Sequence, residues 1–378
     1  MMQVSIIGSG FAALAAVRKL RDLDLGRRLE ITVISPKASL TYLPSLIWVP
    51  SGIRTGEDLR VSLERYFKEM GVHHHAGEVT SIEYKGRIVQ TTHGEVYNDA
   101  LIIASGASYL RKAPGIENTI NPCSGISAAQ AIRKRLSCMS GGTVAMGFSG
   151  NPKEAAGVRG GPMFEFLFGL HTQLKRERRR DNFKLAFVSP MRQPGKRLGT
   201  KAVKGLLKAM KKRDVETHLG HKIVSFGPDS VTTEAGSFHS DLTVFLPGMT
   251  GQPWFASTDF ELSEGGFFKA DGSCRVQGNA EQVWVAGDAG SMPGPLWQAK
   301  QAHMAEIQAR TAATNVYRTF KGQDADATFK NELICIVDTL DSGMLVSRFP
   351  NFSLMLPPTR MMHYLKRFLE YKHLYYYR

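Results

Sequence analysis

The sequence predicts an α/β fold built on parallel sheets, and three segments carry that prediction. Val4 to Ile7 is a short apolar run leading into Gly8-Ser9-Gly10-Phe11-Ala12-Ala13 and then an alanine-rich stretch with helical spacing to about Asp22. Ala100 to Ile103 is a second apolar run, ending in the small residues Ala104, Ser105, Gly106 and Ala107. Val283 to Ala286 is a third, and it ends in Gly287-Asp288.

The first segment reads strand, tight turn, helix, with Glu30 to Ile34 following as the next strand of a βαβ unit. Its GxGxxA spacing is that of a dinucleotide-binding turn. Gly8 permits the turn, Gly10 lets a pyrophosphate approach the backbone, and Ala13 lets the helix pack on the strand. The free N–H groups and the positive dipole end of the helix favour the anion there. Ser35 ends the second strand, where an acidic residue usually binds the ribose hydroxyls; a serine hydroxyl can still hydrogen-bond in that place.

Between the second and third segments lies a further unit, with a strand at Thr143 to Met146, then Gly147-Phe148-Ser149-Gly150, and a βα pattern ending near Phe187-Val188-Ser189. It is Rossmann-like, but its nicotinamide signals are degraded. The polar insertion from Asn151 to Gly161 separates the glycines from the helix around Phe164, and the later strand ends in a serine instead of an acid. An electron donor other than NADH is therefore expected. The organisation read from the chain is a discontinuous first domain, 1–110 and 245–322, a second Rossmann-like domain at 111–244, and a C-terminal region at 323–378.

Composition narrows the setting. At 43% hydrophobic the chain can bury large cores. No stretch reaches the roughly 18 apolar residues of a spanning helix, and Met1 runs directly into a strand with no signal-peptide pattern. A cytoplasmic or membrane-surface protein is expected. The formal charge of +14 predicts an anionic partner. No nucleic-acid-binding module accompanies the basic runs at Lys175 to Arg180, Lys196 to Lys204 and Lys208 to Arg213, so nucleic acid is not expected.

Cys123, Cys138, Cys274 and Cys335 form no CxxC pair, and His73-His74-His75 cannot all face one ion from a strand, so no metal is expected. A homo-oligomer is compatible with the sequence.

The tail adds a further signal. On a helix Tyr364, Phe368, Tyr371 and Tyr375 form one aromatic stripe flanked by Arg360, Lys366, Arg367 and Lys372, which suits a membrane interface. Three features together make the chain resemble the sulfide:quinone oxidoreductases among the two-dinucleotide-binding flavoproteins. They are the order GxGxxA, small-residue strand end, Gly-Asp strand end; the His363-Tyr364-Leu365-Lys366 start of the tail; and Cys335 with Asp338 shortly before it.

The resemblance implies FAD as cofactor, with Gly8, Gly10, Ala13, Ser35, Ala104, Ser105, Gly106, Gly287 and Asp288 around it and the Asp288 carboxylate on the ribityl chain. It further implies sulfide or another small reduced sulfur species as donor, a quinone as acceptor held by Tyr364, Lys366 and Phe368, and peripheral attachment to an anionic membrane surface. Cys335 is the expected redox thiol, Cys123 its resolving partner, and Glu165 a general base whose pKa is raised at an apolar helix start.

Two departures from the family pattern stand out. No cysteine lies between Cys138 and Cys274, and Val158 or Arg159 occupies the place of a second redox thiol. The family's proline, lysine and threonine before the flavin-facing helix are also altered, the segment reading Pro293-Gly294-Pro295, which predicts loss of a positive charge at the flavin edge. Three other readings remain open from sequence: a flavoprotein subunit that donates to a cytochrome, a single-subunit NADH:quinone-type enzyme, and a noncatalytic flavin-binding scaffold.

Overall fold

The computed structural model describes residues 1–378. Its α-helices are α1 (Phe11–Leu23), α2 (Glu64–Met70), α3 (Ile126–Cys138), α4 (Gly161–Arg176), α5 (Thr200–Lys212), α6 (Ala302–Phe320) and α7 (Arg360–Tyr377). A five-stranded parallel sheet orders its strands Val283–Val285, Ala100–Ile103, Met2–Ile7, Leu29–Ser35 and Val72–Ala76. The chain leaves this sheet after Ile103 and returns to it at Val283. The valine, isoleucine and leucine side chains of its three middle strands are buried on both faces, as a parallel sheet covered by helices requires.

The intervening chain builds a second parallel sheet, ordered Val215–Leu219, Phe183–Ser189, Gly142–Phe148 and Leu242–Leu246. Gly147 serves packing here: a Cβ on it would lie 2.0 Å from the Val188 carbonyl oxygen of the neighbouring strand. Ser189 is buried and spends its hydroxyl on the Phe148 carbonyl at 3.0 Å. The polar insertion folds into an antiparallel hairpin, Gly150–Asn151 against Glu154–Val158, and α4 begins only after it. A strand-turn-helix phosphate cradle is therefore absent from this sheet.

Alanine dictates how tightly the first unit closes. Ala12, Ala13, Ala15 and Ala16 of α1 and Ala309, Ala312 and Ala313 of α6 are all buried, so two helices lie side by side on one face of the sheet. Gly287 sits where their first turns converge: its φ is +73°, and a Cβ would lie 3.1 Å from that of Ala305 and 3.4 Å from that of Ala12. After α6 comes an antiparallel meander, Leu333–Asp338, Gly343–Phe349 and Phe352–Met355, and then α7.

The terminal helix is two-faced. Met362, His363, Glu370, Leu374 and Tyr377 are buried, while Tyr364, Phe368, Tyr371, Tyr375 and Tyr376 are exposed. Its N-cap is Thr359, whose hydroxyl accepts from the Met362 N–H at 3.3 Å. No helix is long and apolar enough to cross a membrane.

Candidate functional site

One cleft of about 1290 Å³ runs between the two sheets and under α7. At one end it is lined by Gly8, Ser9, Gly10, Ser35, Ala104, Ser105 and Gly106, the strand ends and turn that the sequence singled out. Gly8 has φ +113°, and a Cβ on it would lie 2.4 Å from the Ala104 carbonyl oxygen. The Cβ positions of Gly10 and Gly106 face open space instead, at the N-terminal end of α1, whose first turn carries no acidic residue. An anionic pyrophosphate fits there on both steric and electrostatic grounds. Ala13 is buried beneath, in the helix-sheet contact.

Three buried polar atoms on the cleft wall have no partner, the Ser105 hydroxyl, the Gln301 side-chain nitrogen and His373 Nε2. Orphaned buried groups of this kind are rare unless a ligand completes them. Ser35 donates to the Lys37 carbonyl at 3.0 Å and lies 3.1 Å from His74 Nε2. His74 belongs to the edge strand Val72–Ala76, where His75 pairs with Thr91 at 2.9 Å and no metal-binding group forms.

At the middle of the cleft Asp288 meets Arg159. The Arg159 guanidinium pairs with the Asp288 carboxylate and lies 3.3 Å from the Tyr109 hydroxyl. Burial works against the arginine's charge, but Asp288 and Tyr109 outweigh it and raise its pKa. The hairpin Gly150–Val158 delivers Arg159 to this place, held there by Asn151, which donates to the Met249 and Gly265 carbonyls, and by Ser291, which donates to Glu154 at 2.9 Å.

A cation also stands at the start of α6, contrary to the expected loss of the lysine: Lys300 donates to the Asp288 carbonyl at 2.8 Å and the Gly290 carbonyl at 2.5 Å. Burial pushes the Lys300 ammonium down to about 8.

All four cysteines are free thiols, and Cys123 and Cys335 line the cleft. Burial pushes the Cys123 thiol up to about 11, with neighbouring Arg159 pulling it back. Cys335 lies against Gly161, whose Cβ would be 4.0 Å from its Sγ. Burial and then Glu165 push its thiol up to about 12. Cys274 is buried in the core, outside the cleft.

Around Cys335 lies a buried ionic network that sequence spacing did not disclose in full. Lys366 of α7 pairs with Glu165 of α4 and donates to the Ile336 carbonyl at 3.2 Å. Glu165 also accepts from the Asp338 N–H at 2.8 Å. Asp338 in turn accepts from Trp48 Nε1 at 3.0 Å and faces His363 Nδ1 at 2.7 Å. Burial pushes the Glu165 carboxyl up to about 7 even though Lys366 opposes it. Burial acts on Lys366 in the opposite sense, but Glu165 and Cys335 hold its pKa above the usual lysine value. A carboxyl poised near neutrality beside a thiol and a fixed ammonium can exchange protons with a reacting atom in the cleft.

Of the three residues expected to hold a quinone, Lys366 lines the cleft together with Leu369 and His373 of the same helix. Tyr364 and Phe368 point outward, 63% and 58% exposed, because the helical turn that buries His363 and Lys366 carries them to the opposite face. They are not placed to sandwich a ring inside the cleft.

A discontinuous dinucleotide fold, a Gly-Asp strand end and a cleft whose glycine turn fits a pyrophosphate define an FAD-dependent oxidoreductase. The chain belongs to the pyridine nucleotide-disulphide oxidoreductase family, whose model matches residues 2–309. It is 24% identical over 354 residues to the sulfide-quinone reductase of Aquifex aeolicus, spanning 89% of this chain and 80% of that one. It is 27% identical over 299 residues to an NADH dehydrogenase-like protein of Mycobacterium tuberculosis, spanning 76% and 72%. The crystal structure of the sulfide:quinone oxidoreductase of Aquifex aeolicus superposes with a TM-score of 0.89, at 20% identity, over 100% of this chain and 92% of that chain.

Proposed function

We propose that this flavoprotein oxidises sulfide, or a related reduced sulfur species, and passes the electrons to a membrane quinone. The observation that carries the reading is the position of Cys335, in one cleft with the FAD-site residues and directly beside the Glu165–Lys366 pair supplied by α4 and the terminal helix. The likeness to the Aquifex aeolicus sulfide-quinone reductase over most of both chains supports it. Bound FAD would supply the two-electron relay between donor and acceptor.

The chain's own residues have defined tasks in this scheme. Cys335 is protonated at neutral pH and needs a base to become the reactive thiolate; Glu165 is adjacent and titrates near neutrality. The Lys366 ammonium stabilises the negative charge that develops on a quinone oxygen, and Glu165 supplies it with a proton. Cys123 lies on the cleft wall near Arg159, and the resemblance puts Val158 or Arg159, neither a thiol, in the place of a second redox cysteine. A sulfur chain held between two cysteines flanking the flavin is accordingly not part of the scheme.

The exposed aromatic face of α7 would lie at the membrane interface, which brings the cleft mouth to the bilayer from which quinone arrives.

The likeness to an NADH dehydrogenase-like protein supports a second donor, NADH. Against it stands the hairpin Gly150–Val158, which fills the turn where the second sheet would need a phosphate cradle. Cys335→Ser tests the first reading: it should retain FAD and lose bleaching of the flavin by sulfide, and unchanged bleaching would overturn the assignment.

A further inference from the structure

Helix α5 carries Lys201, Lys204, Lys208, Lys211 and Lys212, all exposed, and no acidic residue. At 100° per residue the five fall within an arc of roughly 100°. The other side of the helix, Ala202, Val203, Leu206 and Met210, is buried in the core. Five like charges on one stripe repel one another, and the packing of the helix makes no use of them.

The position of the stripe gives it a use. Gly205, at its edge, packs under the terminal meander, where a Cβ would lie 3.5 Å from Met355 Cε. The tip of that meander exposes Phe352 and Leu354. At the N-terminal end of α5, residues 196–200 line the same cleft as Lys366, Leu369 and His373 of α7, and so does the largely exposed Leu296. Lysine stripe, apolar tip and aromatic helix are thus joined in series, α5 to the meander through Met355 and the meander to α7.

We propose that the lysine face of α5 is a second, electrostatic foot that docks this flavoprotein on an anionic lipid surface, orienting the cleft mouth toward the bilayer. The proposal rests on the membrane reading given above. Cations set beside exposed aromatic and aliphatic side chains match the headgroup and acyl boundary of a bilayer. An acidic protein would satisfy the lysines but leave Phe352, Leu354 and the α7 rings facing water.

The test is flotation of the FAD-loaded protein with vesicles of phosphatidylcholine alone and of phosphatidylcholine with 30% phosphatidylglycerol, at low salt. K201Q/K204Q/K208Q should lose binding to the anionic vesicles, roughly fivefold per lysine removed, with binding to neutral vesicles unchanged. The charge-matched control K134Q/K321Q/K330Q, three exposed lysines on other elements, should bind as the parent does. Y364S/F368S/Y371S should lose binding to both vesicle types.

Parent-like binding of K201Q/K204Q/K208Q, with loss in Y364S/F368S/Y371S, would overturn the lysine foot and leave the membrane reading standing. Equal loss in the lysine control would show that overall charge and not this face does the docking. Failure of the parent protein to bind either vesicle would overturn both.

Discussion

Removing Lys366 isolates the most exposed assumption about the site, that Glu165 is a buried carboxyl held near neutrality by one ammonium. In Lys366→Met the lowering influence of Lys366 on Glu165 is gone while the burial that raises its pKa remains, so the carboxyl titrates above the parent value of about 7. An unfolded glutamate titrates near 4.5. A carboxyl raised in the folded state gives stability that is present below its unfolded pKa and lost as pH rises through its folded pKa.

The parent therefore stops losing stability from this group near pH 7, and the variant continues to lose it, at about 1.4 kcal/mol per pH unit for one proton. Between pH 7 and 8.5 the variant should fall behind by up to about 2 kcal/mol more, while Lys366 in the parent, its pKa raised above the usual 10.5, does not titrate in that window. The assay is denaturant unfolding of the FAD-loaded proteins at pH 6, 7 and 8.5. The double variant E165Q/K366M should show no such pH slope relative to the parent above pH 7. A deficit in K366M that is the same at pH 6 and pH 8.5 would refute the account of Glu165.

Other outcomes follow from the same geometry. Gly8→Val should purify with little FAD, read as the ratio of visible to ultraviolet absorbance, because its Cβ would collide with the Ala104 carbonyl and its φ of +113° is strained for a β-branched residue. Deleting residues 357–378 should release the protein from membranes and cut quinone turnover. It should also lower FAD content, since His373 packs at 4.9 Å from Phe11 in the dinucleotide turn and Glu370 binds Arg54 at 2.5 Å. Full activity in a soluble truncation would contradict the placement of the acceptor site under α7.

What was legible in the sequence is what local rules encode. The GxGxxA turn, the small-residue strand end at Ala104 to Ala107 and the Gly287-Asp288 turn each follow an apolar strand, so periodicity and glycine placement reveal them, and the fold brings all three to one cleft. The interruption of the first sheet by the second was likewise readable from the order of the motifs.

The ionic network was not. Glu165 was singled out from its place at an apolar helix start, but its partner Lys366 is 201 residues away, and Trp48 reaches Asp338 across 290 residues. No spacing rule carries such pairings. Lys300 carries no local motif that marks it; its role is set by its reach to the Asp288 and Gly290 carbonyls, which only the folded chain provides. Tyr364 and Phe368 were expected to hold a quinone with Lys366 as aromatic side chains of the same helix, yet helical geometry places them on the far face. The hairpin that fills the second phosphate cradle was visible only as a polar insertion.

The central claim is that a sulfur donor reduces the flavin and a quinone reoxidises it. The most direct measurement is anaerobic mixing of the purified holoprotein with sulfide and, separately, with NADH, following the visible absorbance of oxidised flavin before and after adding a soluble quinone. The account predicts bleaching by sulfide, reversal by quinone, and no comparable bleaching by NADH. Bleaching by NADH with none by sulfide would contradict it.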